Sequence, residues 1–322
     1  MSEKTPTVLL TGGTGSFGHR FVRRFLETHD DCLIRVYSRD ELKQVEMQRL
    51  FSGEERLRFF IGDIRDRVRL RRAMTDVDVV IHAAAMKQVP VCEYNPAEAV
   101  KTNVIGAMNI LECALDAGVG NAIALSTDKA VNPVNLYGAT KLCMEKLFVH
   151  GNAYSGERGT RFSAVRYGNV MGSRGSVVPL FVQQAASKVL TLTDPRMTRF
   201  WLSLDHAVDV VLHAMECSEG GEIFVPKIPS MRISDLAHAI CPDAVLKPIG
   251  IRPGEKLHEV LLMADEARAA REDEAFYVIG GPPAASRRPL REGFAYTSDT
   301  NTQWLDVERL RELVAPWMDG GG

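Results

Sequence analysis

A chain of 322 residues with 45% hydrophobic and 25% charged residues has the composition of one large or two ordinary globular domains, which excludes wholesale disorder. Thirty-nine Lys plus Arg stand against 41 Asp plus Glu, a net charge of −2 without the basic excess of a nucleic-acid binder. No apolar run approaches the ~20 residues of a membrane span, and six scattered cysteines form no C-x-x-C pair.

A soluble cytoplasmic protein with reduced thiols is therefore expected, with no membrane or nucleic-acid partner and no metal. The first apolar segment, about five residues, is too short for a signal-peptide core. In chain order, strands are predicted at 7–11, 32–37, 57–61, 78–83, 121–126 and 162–167. Between them lie amphipathic stretches at 17–28, 66–75, 97–117 and 138–150. Continuously apolar strands alternating with helices imply a parallel sheet covered on both faces. Right-handed crossovers then give an α/β, Rossmann-type doubly wound fold.

Beyond Gly168 the pattern changes. Segment 169–200 is rich in Gly, Ser, Thr and Pro, with a short helix near 177–188. Helix and strand return at 206–217 and 222–225, a helix follows near 233–240, and 264–297 is polar with weak signals. The expected division is a nucleotide-binding unit of 1–168 plus about 201–226. The remainder, about 169–200 plus 227–322, would form a smaller, discontinuous substrate-binding domain. Arg65, Arg67, Arg69, Arg71 and Arg72 form a basic run that reads most simply as a solvated or subunit-contacting face.

Directly after the first strand, Thr11-Gly12-Gly13-Thr14-Gly15-Ser16-Phe17-Gly18 opens a helix. Glycines there permit a tight turn, close backbone approach to a pyrophosphate and close helix–strand packing. The helix N-terminus adds free N–H groups and a positive dipole end. Gly12, Thr14, Gly15, Ser16, Phe17 and Gly18 are thus expected to hold a dinucleotide. At the tip of the second strand stand Ser38, Arg39 and Asp40, with Lys43 one turn on. A hydroxyl and a guanidinium suit a 2′-phosphate, which selects NADP. The plainer alternative is a helix cap beside a surface Arg. Asp63, with Ile64, follows the third strand where the adenine is commonly met, and Ala83 to Lys87 follow the fourth with small residues.

Tyr137-Gly-Ala-Thr-Lys141 is a Y-x-x-x-K. Seven Tyr and eleven Lys make about 0.24 chance matches in this length, and it is the only one. On a helix, the spacing puts both side chains on one face, where a cation lowers the phenol's pKa. The phenolate then takes a proton from a substrate alcohol as hydride leaves its carbon. Ser126-Thr127 precede the pair, followed by Asp128-Lys129.

These residues resemble the extended short-chain dehydrogenase/reductases. Sugar-nucleotide 4,6-dehydratases of that group generally carry Thr-Asp-Glu where this chain has Thr127-Asp128-Lys129. The Asp-Lys version is similar to the inverting UDP-N-acetylglucosamine 4,6-dehydratases, the family that opens pseudaminic acid biosynthesis. The likeness extends through 37–43, 129–141, 166–176, 197–201, 221–231 and 250–259, roughly residues 8–263, and returns at 301–305. Met86, Val131 and Met171 depart from it, and 264–297 is short and divergent.

The resemblance implies an NADP-dependent hydro-lyase acting on a UDP-sugar, as a homo-oligomer (dimer or hexamer). Tyr137 and Lys141 would assist oxidation at carbon 4, Lys129 would take the carbon 5 proton and Asp128 would protonate the departing 6-hydroxyl. Reprotonation from the opposite face would invert carbon 5. A lysine base must be neutral, so partial burial and Lys141 are expected to push Lys129 down while Asp128 pulls it up, which leaves the net direction open. Asn169 with Val170 would meet the diphosphate. Arg174, Arg199 and Arg252 would contact phosphate or uracil–ribose, with Thr193 and Glu255 beside the nucleoside and Lys87 and Thr127 near the sugar. For each Arg the alternative is a structural salt bridge. His82 and His206 read as structural. Rival readings are a non-inverting 4,6-dehydratase, a 4-epimerase, or a catalytically dead NADP-sensing module.

Overall fold

The computed structural model describes residues 5–156, 159–172 and 177–318. Six strands come first: β1 (Thr7–Thr11), β2 (Leu33–Ser38), β3 (Leu57–Ile61), β4 (Val79–His82), β5 (Asn121–Leu125) and β6 (Arg161–Val165). They pair in parallel in the order β3-β2-β1-β4-β5-β6, and Glu222–Pro226 continues the sheet beyond β6, also in parallel. This is the expected doubly wound α/β fold, with the order reversing between β1 and β4.

The apolar faces of the helices explain the packing. α1 (Ser16–Thr28) buries Gly18, Phe21, Val22, Phe25 and Leu26, a stripe at helical spacing. Phe17, Phe21 and Phe25 stack along it with centroids 5.8 and 5.3 Å apart. Each fully buried ring of this kind contributes about 1.5–3 kcal/mol. On its outer side, α1 meets the helix Leu204–Cys217 through Arg20–Asp205 and Arg24–Asp209 pairs.

Several elements differ from the sequence reading. Helix Glu41–Leu50 was not predicted; Asp40 caps it by accepting from the Lys43 N–H at 3.1 Å. The stretch 97–117 is not one regular helix. A π-helical turn at Lys101–Ile105 separates Pro96–Val100 from Gly106–Ala117. Strands Ala270–Glu272, Phe276–Gly280 and Arg288–Pro289 add an antiparallel edge to the large sheet, beginning beside Glu222–Pro226. Their weak signal has a physical cause: they are short, and Ala270–Glu272 and Phe276–Gly280 are only partly buried on one face.

A second apolar core joins Met171, Val178, Phe181, Leu190, Trp201, Met231, Leu236, Leu310 and Val314. It is closed by the helix Val307–Met318 against Ile233–Ile240. Arg166 is buried and makes a two-bond pair with Glu145 and another with Glu266. All six cysteines are unpaired.

Candidate active site

A cavity of about 1360 Å³ opens at the carboxyl ends of β1 and β4, where the strand order reverses. The glycine turn forms one wall. Gly12 has φ +68°, and a Cβ there would lie 2.8 Å from the Ala84 Cα. Gly18 does not line the cavity. A Cβ on it would lie 2.1 Å from the Gly13 carbonyl oxygen, so it lets α1 pack against the turn. The turn is therefore shaped for backbone approach, and its residues fit a dinucleotide.

Thr14, Gly15, Ser16, Phe17, Ser38, Arg39, Asp40, Lys43, Asp63, Ile64, Ala83 and Lys87 all line the cavity. The Ser38 hydroxyl accepts from Gln44 at 3.0 Å, while Arg39 stays largely exposed, 3.6 Å from Asp63. Asp40 is both helix cap and partner of Lys43, with Nζ 2.7 Å away. The Asp63 carboxylate is engaged mainly by Arg65, at 2.7 Å. Arg65 also reaches Glu98, and Arg67 pairs with Glu112, so part of the basic run is neutralised within the chain.

The sequence reading missed Asn103. The π turn aims its buried amide inward, accepting from the Met86 N–H at 2.8 Å and donating to the Met86 carbonyl and Thr140 hydroxyl. It ties the loop after β4 to the helix Leu136–Gly151 that carries Tyr137 and Lys141. Asn135 caps that helix, accepting from the Gly138 N–H at 2.7 Å.

Tyr137, Lys141, Thr127 and Lys129 line the cavity together. Burial pushes the Tyr137 phenol up to about 12. The groups drawing it back are Lys129 and the Thr127 hydroxyl rather than the expected Lys141. Lys141 points its Nζ at the Met144 sulfur, 3.1 Å away, and burial lowers it to about 8.

Lys129 corrects a second expectation. Burial does lower its pKa, but Asp128 and then Glu259 outweigh burial and hold the ammonium above its ordinary range. The cation opposing them is Arg199, not Lys141. Lys129 Nζ donates to Asp128 Oδ1 at 3.0 Å and to Asn169 Oδ1 at 3.2 Å. Asp128 lies beneath the cavity wall, fully buried; Thr127 donates to its Oδ1, and its Oδ2 has no hydrogen-bond partner.

Asn169, Val170, Thr193, Arg199, Arg252 and Glu255 also line the cavity. Arg199 spends its NH1 and NH2 donors within the chain. They reach the carbonyls of Thr198, Leu257 and Lys256 and the Met197 sulfur, so the residue braces the 256–259 loop. Arg252 lies 3.7 Å from Glu255, whose Oε2 is buried without a hydrogen-bond partner. Arg174 falls outside the described residues. His82 is buried, bonded through Nδ1 to Thr11 at 2.9 Å, and burial lowers it to about 3. His206 is half-buried on the outer helix, and burial lowers it as well. Among the described residues no group of His, Cys, Asp and Glu could hold a metal, and no helix is long and apolar enough to cross a membrane.

The geometry has counterparts in known proteins. The chain is 51% identical over 323 residues to a UDP-N-acetylglucosamine 4,6-dehydratase (inverting) of Campylobacter jejuni, covering 95% of this chain and 96% of that protein. It is 46% identical to a UDP-glucose 4-epimerase of Rickettsia felis, covering 96% and 95%. The dTDP-glucose 4,6-dehydratase of Streptomyces venezuelae, solved with NAD and TYD bound, superposes with a TM-score of 0.69. That pair is 25% identical over 78% of this chain and 86% of the other. A family model described as polysaccharide biosynthesis protein matches residues 8–280. With this match, the doubly wound sheet and the Tyr137/Lys141 helix, the chain belongs to the polysaccharide biosynthesis protein family of extended short-chain dehydrogenase/reductases.

Proposed function

We propose that this protein is an NADP-dependent UDP-N-acetylglucosamine 4,6-dehydratase that inverts carbon 5, a hydro-lyase. Its product would be UDP-2-acetamido-2,6-dideoxy-β-L-arabino-hex-4-ulose, at the entry to pseudaminic acid biosynthesis. The observation that carries the reading is the Asp128–Lys129 contact of 3.0 Å beside Tyr137 at one cavity wall.

A nicotinamide dinucleotide held by the Gly12–Phe17 turn, Ser38, Arg39 and Asp63 would supply the hydride acceptor for carbon 4 and the hydride donor for carbon 6. Tyr137, as phenolate, takes the proton of the 4-hydroxyl, with the Lys129 ammonium and the Thr127 hydroxyl drawing its pKa down. Carbon 5 is then α to a ketone, and Lys129 removes its proton while Asp128 protonates the 6-oxygen, which leaves as water. Both groups must first change state. A single proton shift from Lys129 Nζ to Asp128 Oδ1 makes the neutral amine and the carboxylic acid together. Substrate covering the cavity favours that shift, since exclusion of water penalises the ion pair more than the neutral pair.

Ser38, Arg39 and Lys43 support NADP over NAD, because a guanidinium and an ammonium at that strand tip match a 2′-phosphate. Asn169, Val170, Thr193, Arg252 and Glu255 form the nucleotide-sugar wall of the reading. Exposed Val91, Tyr94, Ile105 and Met108 support a homo-oligomer, dimer or hexamer; the reading places it in the cytoplasm.

A second reading, a UDP-sugar 4-epimerase, is favoured by the Rickettsia relative. Epimerisation at carbon 4 needs no acid at carbon 6 and no base at carbon 5, which leaves Asp128 and Lys129 without work. Incubation with UDP-N-acetylglucosamine in deuterated water separates the two. A 6-deoxy-4-keto product with deuterium at carbon 5 and the inverted configuration is expected by NMR. A product that keeps its 6-hydroxyl overturns the dehydratase reading.

A further inference from the structure

Glu259 was absent from the expected site, yet it is one of the most buried carboxylates at the cavity. It stands immediately before the strand Val260–Leu262. Its N–H donates to Ser298 Oγ at 2.9 Å, and its carbonyl accepts from the Ser298 N–H at 2.8 Å, so its backbone is fixed on both sides. Its Oε1 lies 3.7 Å from Lys129 Nζ and 3.7 Å from Arg199 Nε. Its Oε2 lies 3.8 Å from Lys256 Nζ and has no hydrogen-bond partner.

Lys129, Arg199 and Lys256 are thus the cations that face the carboxylate, with Asp128 behind Lys129. Two of the three are committed elsewhere. Arg199 donates to the Thr198, Leu257 and Lys256 carbonyls, and Lys256 to the Val131 carbonyl. Lys129 is different. An ammonium has three donors; two already reach Asp128 and Asn169, and the third has Glu259 as its nearest anion. A buried carboxylate without a hydrogen-bond donor of its own is costly unless a nearby charge offsets it.

We infer that Glu259 is the positioning residue of the base: it holds Lys129 in place at the cavity wall and stabilises the ammonium formed when Lys129 takes the carbon 5 proton. The inference rests on the dehydratase reading above. An anion at this distance favours the charged form of an amine, so it raises the basicity of Lys129 for the proton it must accept. Asp128 is a neutral acid when the step begins and becomes a carboxylate only as it releases its proton, so until then Glu259 is the carboxylate that faces the developing ammonium. Burial, ahead of Asp128, raises the Glu259 pKa, while the opposing pull comes first from Lys129, which couples the two groups.

The test compares Glu259→Gln and Glu259→Asp with wild type, using UDP-N-acetylglucosamine in deuterated water across a pH series. Two rates are read: appearance of reduced-nicotinamide absorbance, which reports oxidation at carbon 4, and deuterium entry at carbon 5. In Glu259→Gln, oxidation should keep its wild-type rate. Carbon 5 exchange should reach a lower plateau, and its rising limb should move to lower pH by about one unit or more, as for removal of an opposite charge within contact range. Glu259→Asp, which restores the charge, should return the limb toward wild type. An unmoved limb in Glu259→Gln overturns the inference while leaving the dehydratase reading intact, as does equal slowing of both rates, the mark of a structural role. A wild type that oxidises carbon 4 yet never loses water overturns both.

Discussion

The ammonium of Lys129 and the carboxylate of Asp128, adjacent in sequence, face each other at 3.0 Å although only Lys129 lines the cavity. The short helical turn Asp128–Ala130 that carries both lets the lysine reach over the aspartate, while Asn169, in the short strand Asn169–Val170 after β6, contacts the lysine at 3.2 Å. Acid and base are therefore one hydrogen-bonded unit. Lys129→Ala should abolish deuterium entry at carbon 5 and cut dehydration by about 10²–10⁴-fold, the usual loss for a removed general base. Oxidation at carbon 4 should persist. Mass and NMR analysis of products formed in deuterated water checks this, and undiminished deuterium in the alanine variant would falsify the role.

Tyr137→Phe should block the first step instead. Without the phenolic oxygen no group takes the 4-hydroxyl proton, so no reduced-nicotinamide absorbance should rise on substrate addition. Because burial sets the phenol at about 12, ionisation in the substrate-free protein is confined to strongly alkaline pH. Absorbance titration of the phenolate with and without bound cofactor should show the alkaline limb moving down when cofactor binds. Wild-type absorbance changes in the Phe variant would remove Tyr137 from the mechanism.

Arg39 is mostly exposed and only 3.6 Å from Asp63, so its guanidinium remains accessible to a ligand. Arg39→Ala should weaken NADP binding by about 10–100-fold, the worth of a charge-assisted contact, and leave NAD binding nearly unchanged. Calorimetric titration with the two dinucleotides gives the ratio. Equal losses for both would show that Arg39 does not read the 2′-phosphate.

His82 makes a stability prediction with a defined sign. Burial, then Lys141, lowers its pKa from 6.5 to about 3, so the folded protein keeps it neutral. Below pH 6.5 the unfolded chain takes up a proton that the folded chain refuses. Stability is complete above that pH and is lost as pH falls toward 3, at up to about 1.4 kcal/mol per unit. Between pH 6.5 and 5 the histidine should account for on the order of 2 kcal/mol. Urea unfolding of wild type and His82→Gln at both pH values measures it, and identical pH slopes would rule the effect out.

What could be read without coordinates was local. The glycine turn, the Tyr137/Lys141 spacing and the alternation of apolar strands with amphipathic helices are each encoded within a few residues, by backbone sterics and helical periodicity. Thr127, Asp128, Lys129 and Asn169 were legible as a group for the same reason, since each follows directly on a strand of the parallel sheet.

Tertiary structure decided the rest. The antiparallel edge strands at 270–289 owe their pairing to Glu222–Pro226 rather than to any pattern of their own. Asn103 has its role only because a π turn rotates it inward against Met86. Arg199 looked free for a ligand until the carbonyls of the 256–259 loop closed around it. Most of all, the balance of charge at Lys129 was left open by the sequence: the pull of Asp128 was expected, but a buried Glu259 brought from far along the chain adds to it, and Lys141 is not among the groups opposing it. A side chain's identity and its place in a motif are local properties. Its protonation state depends on the summed field of groups that only folding assembles in a low-dielectric space.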